Sequence, residues 1–153
     1  MPRRFPLQPL LDLAHNNSDE AGRKLQQLKV KWQEADFKLS QLIDYREEYR
    51  NRLLQNAQQG MQMVAWREFQ LFMDKLDQAI ALQGNEVEKC KLQWEGGRRE
   101  WLERQRQLKA YDTLSQRHVA SEVKLDSKKE QLEQDEFAGR AAQAKHTDKE
   151  PPD

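Results

Sequence analysis

The sequence is poor in the residues that a compact globular domain uses. Its 153 residues include six glycines, five prolines and one cysteine, and hydrophobic residues (37%) barely outnumber charged ones (34%). A domain built around a single core has more apolar and more turn-forming residues than this. The lone Cys90 excludes an intrachain disulfide and favours a reducing compartment.

Long apolar runs and an excess of one charge are missing as well. No stretch approaches the roughly 20 apolar residues that cross a bilayer, and the run after Arg3 and Arg4 is too short and broken for a signal peptide. Twenty-six basic residues balance 26 acidic ones, whereas nucleic-acid binding normally needs a basic excess. We therefore expect a soluble, cytoplasmic protein with no nucleic-acid partner and no direct membrane insertion.

Motifs for catalysis, cofactors or metals are also lacking. The three histidines, His15, His118 and His146, are far apart and have no partner at metal-ligand spacing, so we interpret them as surface residues. No glycine-rich phosphate-binding motif occurs. We predict that the chain is not an enzyme and that it takes no cofactor and no metal.

Helix-forming residues are abundant, and apolar residues recur at alternating spacings of three and four, the pattern of a coiled coil. Twelve aromatic residues (four Trp, five Phe and three Tyr) disfavour disorder. The first seam consists of Leu7, Leu11, Ala14, Ser18, Ala21, Leu25, Leu28, Trp32, Ala35, Leu39, Leu42, Arg46, Tyr49 and Leu53. The second consists of Trp66, Phe69, Met73, Leu76, Ile80, Gln83, Val87, Cys90, Trp94, Gly97, Trp101, Arg104, Leu108 and Tyr111.

The two seams predict a helical hairpin that turns at Gly60. If the chain folds back there, the numbers of facing residues sum to about 119, and the second seam fades where the first helix has ended. The predicted fold is all-α, a single antiparallel coiled-coil hairpin over residues 1–153. We expect helix one over about 7–56, the turn over 57–63, helix two over 64–145 and a disordered tail over 146–153. Residues 112–145 should project without a partner.

Two features complicate this prediction. Residues 16–20, NNSDE, are typical helix caps, so the first helix could instead start there and leave residues 7–14 as a separate turn. Gly84 and the pair Gly96 and Gly97 lie inside the second helix, where a bend or soft spot is expected.

Some apolar residues lie off the seams. Phe37, Tyr45, Phe72 and Leu82 could form one patch on the flank of the hairpin. Exposed apolar patches often mark binding faces, and we interpret this one as a site for another protein. A widened seam and self-association are the alternatives.

Four segments resemble the flagellar export protein FliJ family. Residues 42–50 read LIDYREEYR, and the second helix carries Trp66, Phe69, Phe72, Leu76, Ala79 and Ile80, followed by Trp101, Arg104, Leu108 and Tyr111. A carboxyl-terminal pattern combines Leu125, Asp126, Lys128 and Lys129 with Asp135, Glu136, Phe137, Ala138, Arg140 and Ala141. The order and spacing of these segments cover roughly residues 7–145.

The resemblance implies a stalk-like coiled coil of the flagellar type III export apparatus. Such a protein binds the hexameric export ATPase and promotes its assembly, contacts the membrane export gate at the cytoplasmic face of the cell membrane, and helps to recycle export chaperones. Carried over position by position, the gate patch comprises Leu42, Tyr45, Tyr49, Phe72, Leu76 and Ala79. The expected contact with the ATPase ring comprises Leu125, Asp126, Phe137 and Arg140.

One departure from the family pattern lies at residues 130–134, where this chain has about four more residues. That is close to one helical turn, which would advance the end of the helix by about 6 Å. Two alternatives stay open: the equivalent stalk of a virulence-type secretion system, and a passive coiled-coil spacer.

Overall fold

The structure, a computed structural model, describes residues 3–147, which form two long helices and no strand. Helix α1 spans Gln8–Gln58 and helix α2 spans Met63–Thr147. The predicted all-α class, two long helices packed against each other as a hairpin, is confirmed. His146 and Thr147, predicted to belong to a disordered tail, are part of α2, because its helix-forming sequence continues to that point. The rest of that tail, 148–153, lies outside the described residues.

The turn between the helices depends on Gly60. Its φ of 93° lies in the left-handed region, which glycine adopts without the steric penalty of a Cβ. The amide of Gly60 donates to the carbonyl of Ala57 at 3.3 Å and so closes the last turn of α1. The turn was predicted at this glycine, and it takes fewer residues than the predicted 57–63.

Helix α1 is continuous through residues 16–20, so the alternative start at these capping residues is wrong. The reason is burial. Ser18, only 2% exposed, accepts a hydrogen bond from the Gln105 side chain at 2.7 Å, which satisfies its hydroxyl within the helix. Upstream, the amide of Leu11 already bonds to the carbonyl of Leu7 at 2.9 Å.

The chain divides into two compact units. One comprises residues 16–105, the turn and both arms beside it; the other combines the residues up to His15 with those from Arg106 onward. In the first unit the buried side chains all belong to the predicted seams: Ser18, Ala21, Ala35, Leu53, Met73, Leu76 and Cys90. In the second unit Leu11 and Ala14 are buried, again on the predicted seam.

The predicted register holds near the turn, where Tyr49 contacts Phe69 and Gln83 bonds to Ala35, but contacts farther from the turn run several residues ahead of it. Ser18 was expected opposite residue 101 and bonds to Gln105, and Trp32, expected opposite Val87, packs on Trp94 with ring centroids 5.2 Å apart. The offset is therefore confined to the part of the unit that lies farther from the turn than Ala35 and Gln83.

Helix α2 runs unbroken through Gly84, Gly96 and Gly97, and Gly97 has a packing role. A Cβ placed there would lie 2.6 Å from Cδ1 of Leu28 on α1. Gly97 is buried, so its missing side chain lets the Leu28 side chain approach the backbone of α2. Gly84 and Gly96 have open space where their Cβ would be.

The second unit shows that the paired part of α2 extends farther than predicted. The projection was expected from residue 112, but Ser115, His118 and Glu122 are half-buried. His118, interpreted above as a surface residue, lies 5.6 Å from Phe5 between ring centroids. The apolar stepping missed this pairing because the contact uses a histidine and residues before α1. Residues 123–146 are all exposed.

Candidate protein-binding site

Aromatic side chains from both helices meet in one cluster beside the turn, in the unit of residues 16–105. Tyr49 on α1 lies between two rings of α2, with centroid distances of 5.1 Å to Phe69 and 4.5 Å to Phe72. Tyr45 joins from one turn earlier, 6.3 Å from Tyr49 and 6.3 Å from Phe72, edge to face with the latter at 80°. Such pairs add to the stability already gained from burial.

Heptad spacing explains why this cluster reaches the surface. Tyr49 and Phe69 occupy seam positions, while Tyr45 and Phe72 each come one residue before a seam position and so lie on the edge of the coil. Tyr45 is 47% exposed and Tyr49 and Phe72 are half-buried, so one continuous aromatic surface runs from core to solvent. Burial is the main cause that raises the pKa of Tyr49 above its usual 10, and the nearby Tyr45 and Glu68 contribute.

A groove of about 450 Å³ continues this surface toward the middle of the hairpin. It is lined by Leu42 and Tyr45 together with the polar side chains of Lys38, Gln41 and Gln83. The Gln83 amide donates to the carbonyl of Ala35 at 2.9 Å, which ties α2 to α1 at one end of the groove. The groove therefore combines an apolar floor with a cation and amides that can orient a bound segment.

An ion pair joins α1 and α2 in the same stretch of the hairpin. Arg46 Nε donates to Asp77 Oδ1, and this hydrogen bond, together with the carboxylate charge, raises the pKa of Arg46. Arg46 was one of the two exceptions to the apolar pattern of the first seam. Its guanidinium explains the exception, because it leaves the seam to meet a carboxylate of the facing helix.

The structure brings together much of the patch that the resemblance implied. Tyr45, Tyr49 and Phe72 are in mutual contact, and Leu42 lines the adjoining groove. Leu76 is only 7% exposed, so it supports the patch from below and offers little surface of its own; Ala79 is half-buried. Phe37 and Leu82 of the predicted flank patch are exposed by 63% and 70%.

Sequence reasoning did not place Phe69 or Gln41 in the patch. It left out Lys38 and Gln83 because the resemblance leads us to expect other residue types at those two positions. Phe69 was counted on the second seam, and its place beside a flank aromatic could have included it. Gln41 carries no such signal, because an amide residue on a helix surface is common.

The predicted contact with the ATPase ring lies on the exposed part of α2. Leu125, Asp126, Phe137 and Arg140 are all exposed. Residues eleven positions apart share a helix face, which places Asp126 and Phe137 on one side and Leu125 about a quarter turn away. Phe137 lines a shallow groove of about 300 Å³ with Glu130, Glu133 and Gln134. This surface pairs an aromatic ring with carboxylates.

Within residues 3–147 no group of three or more His, Cys, Asp or Glu side chains is arranged to hold a metal ion. Cys90 is buried on the seam, with its sulfur 3.8 Å from a carboxylate oxygen of Glu86. In the same part of the chain, no helix is both long and apolar enough to cross a membrane.

The fold and the aromatic cluster together define a helical-hairpin protein with surfaces suited to binding other proteins. Residues 3–147 match the family model described as "Flagellar FliJ protein". The chain belongs to this family, as the resemblance indicated.

Relatives with curated descriptions agree with the family assignment. A flagellar FliJ protein of Salmonella typhi is 31% identical over 145 residues, covering 95% of this chain and 99% of the relative. The flagellar FliJ protein of Escherichia coli strain K12 is 31% identical over 139 residues, covering 91% and 95%.

A solved structure shares the fold. A protein from Chlamydia trachomatis described as a YscO homologue superposes with a TM-score of 0.59 at 18% identity, covering 97% of this chain and 99% of that one. At this identity the likeness concerns the fold alone.

Proposed function

We propose that this chain is a non-enzymatic stalk of the flagellar type III export apparatus, which binds the hexameric export ATPase through the exposed part of α2 and promotes its assembly. The observation that carries the proposal is the surface of residues 123–146. These residues are helical and exposed. Among them, the apolar side chains of Leu125 and Phe137 are 52% and 76% exposed. A helix that leaves such side chains in water has apolar area available to a partner.

The aromatic cluster supports a second contact, with the membrane export gate. Tyr45 and the groove beside it offer a partly exposed ring, an apolar floor and the Lys38 ammonium. Aromatic residues backed by packed neighbours are the usual anchors of protein interfaces. In this proposal the two contacts link the ATPase to the gate at the cytoplasmic face of the cell membrane, and the same hairpin assists the recycling of export chaperones.

Family membership favours the flagellar system over the equivalent stalk of a virulence-type secretion system. The two flagellar relatives are 31% identical over nearly the whole chain, whereas the likeness to the YscO homologue is one of fold at 18% identity. A passive spacer would have no use for the partly exposed aromatic cluster beside the turn.

The contact with the ATPase is tested by binding of the purified chain to the purified export ATPase. We expect the double variant Leu125→Ala with Phe137→Ala to bind about tenfold more weakly or worse, because exposed apolar anchors contribute most of the energy of an interface. The matched control is Leu92→Ala with Leu102→Ala, two exposed leucines elsewhere on α2, and it should bind as the unmodified chain does.

Equal affinity of both double variants and the unmodified chain would contradict an ATPase contact at Leu125 and Phe137. Equal weakening by both would mean that any loss of apolar surface on α2 reduces binding, which also contradicts a specific contact there.

A further inference from the structure

The residues before α1 fold onto α2 in the unit that contains both chain ends. The Phe5 ring lies 5.6 Å from the His118 ring, tilted by 48°. Nε2 of His118 is 2.8 Å from the carbonyl oxygen of Arg3. A carbonyl only accepts hydrogen bonds, so Nε2 carries the proton, and both the neutral Nε2–H tautomer and the imidazolium can make this bond.

The same residues are joined to the start of α1. The amide of Gln8 donates to the carbonyl of Phe5 at 3.1 Å, and the amide of Leu11 donates to that of Leu7 at 2.9 Å. Phe5 is half-buried, although it lies outside any helix. Residues 3–7 are therefore held at both ends, by His118 on one side and by the first turn of α1 on the other.

The burial of α2 ends a few residues beyond the contact at His118. Ser115, His118 and Glu122 are half-buried at alternating spacings of three and four, and every residue over 123–146 is exposed. A serine, a histidine and a glutamate bury little apolar area, so these three residues contribute little to the stability of the pairing. The contact with Phe5 and Arg3 thus adds to a stretch of α2 whose own apolar pattern stops at Tyr111.

We propose that residues 3–7 form a strap that closes on α2 at His118 and determines where the exposed helix begins. With the strap closed, α2 is held through Glu122 and the exposed part starts at Val123. With the strap open, residues 112–122 lose that support and fray, because an isolated helix is marginally stable in water. Opening adds roughly ten residues, about 15 Å when a partner binds them as a helix, to the part of the chain that a partner can reach.

Hydrogen exchange measured by mass spectrometry on the full chain tests the strap without any partner. We expect Phe5→Ala to raise the exchange rate of amides over residues 112–122 about tenfold, since local opening controls exchange in such segments. Amides over residues 30–50 and 70–95 should keep their rates. Leu13→Ala, which removes an exposed leucine from α1 in the same unit, is the matched control and should leave 112–122 unchanged.

Two substitutions at His118 separate the ring contact from the hydrogen bond. His118→Gln keeps a nitrogen donor for the Arg3 carbonyl and should retain part of the protection, while His118→Leu keeps apolar volume without a donor. Protection of residues 112–122 no greater than that of 123–146 in the unmodified chain would overturn the proposal. So would unchanged exchange in Phe5→Ala, or acceleration that spreads over residues 16–105, which would make Phe5 a general part of the fold.

Discussion

At the scale of single residues, two adjacent glycines show how the packing of this hairpin is decided. Gly96 and Gly97 are equally unfavourable inside a helix by propensity alone. A Cβ at Gly96 would meet nothing within 4 Å, whereas a Cβ at Gly97 would come within 2.6 Å of Leu28 Cδ1 and 3.7 Å of Leu25 Cδ1. Gly97 lowers helix stability but allows a close contact between the two helices, whereas Gly96 lowers helix stability without such a contact.

This difference predicts opposite results for two alanine substitutions. Gly96→Ala should stabilise the chain by about 0.5–1 kcal/mol, because alanine loses less backbone entropy in a helix. Gly97→Ala should be less stable than Gly96→Ala by at least about 1 kcal/mol, because Leu28 has to shift to make room. The free energy of unfolding, measured by urea titration of both variants, checks this, and equal stabilisation by both would contradict the close contact at Gly97.

At the scale of elements, the spacing of apolar residues predicts the seam between the two helices but not every contact that they make. Apolar spacing predicted the hairpin, the turn at Gly60 and the residues that become buried, because a coiled coil repeats the same local geometry along its length. It failed for residues 112–122, because Ser115, His118 and Glu122 keep the heptad spacing without being apolar and because Phe5, which packs on His118, lies outside any helix. The predicted register holds near the turn, where Tyr49 contacts Phe69, and falls several residues short of the contact between Ser18 and Gln105.

The aromatic cluster contains three residues of the patch that the resemblance implied. Three of its members, Tyr45, Tyr49 and Phe72, were expected as a patch and are in contact. The sequence alone could not say which of them faces solvent, because seam and flank positions differ by one residue and exposure depends on the facing helix. Tyr45, about half exposed with its edge against Phe72, is the member best placed to meet a partner.

The proposed gate contact is tested by Tyr45→Ala in a binding assay with the cytoplasmic part of the export gate. We expect binding to weaken about tenfold, because an aromatic anchor is lost, while the helical content stays as in the unmodified chain. Ile43→Ala is the matched control: Ile43 lies two positions away and is 48% exposed, against 47% for Tyr45. Loss of helicity in Tyr45→Ala would make Tyr45 part of the core, and equal binding of both variants would exclude it from the contact.

At the scale of the whole molecule, membership of the flagellar FliJ family and the exposed end of α2 both support the proposed role as a stalk. The described chain forms two helices of 51 and 85 residues. The difference in length means that α2 has more helical surface than α1 can cover. The family model matches residues 3–147, so the match includes the exposed part of α2 as well as the hairpin.

The central claim is that this exposed end acts on the export ATPase. The most direct test measures the ATP hydrolysis rate and the fraction of assembled hexamer of the cognate export ATPase, alone, with the full chain, and with a chain that ends at Glu122. Ending there keeps every half-buried residue of α2. Circular dichroism of the shortened chain serves as the control for its helical content. We predict that only the full chain raises both the rate and the hexamer fraction. Equal stimulation by the two chains, or none by either, would contradict the claim.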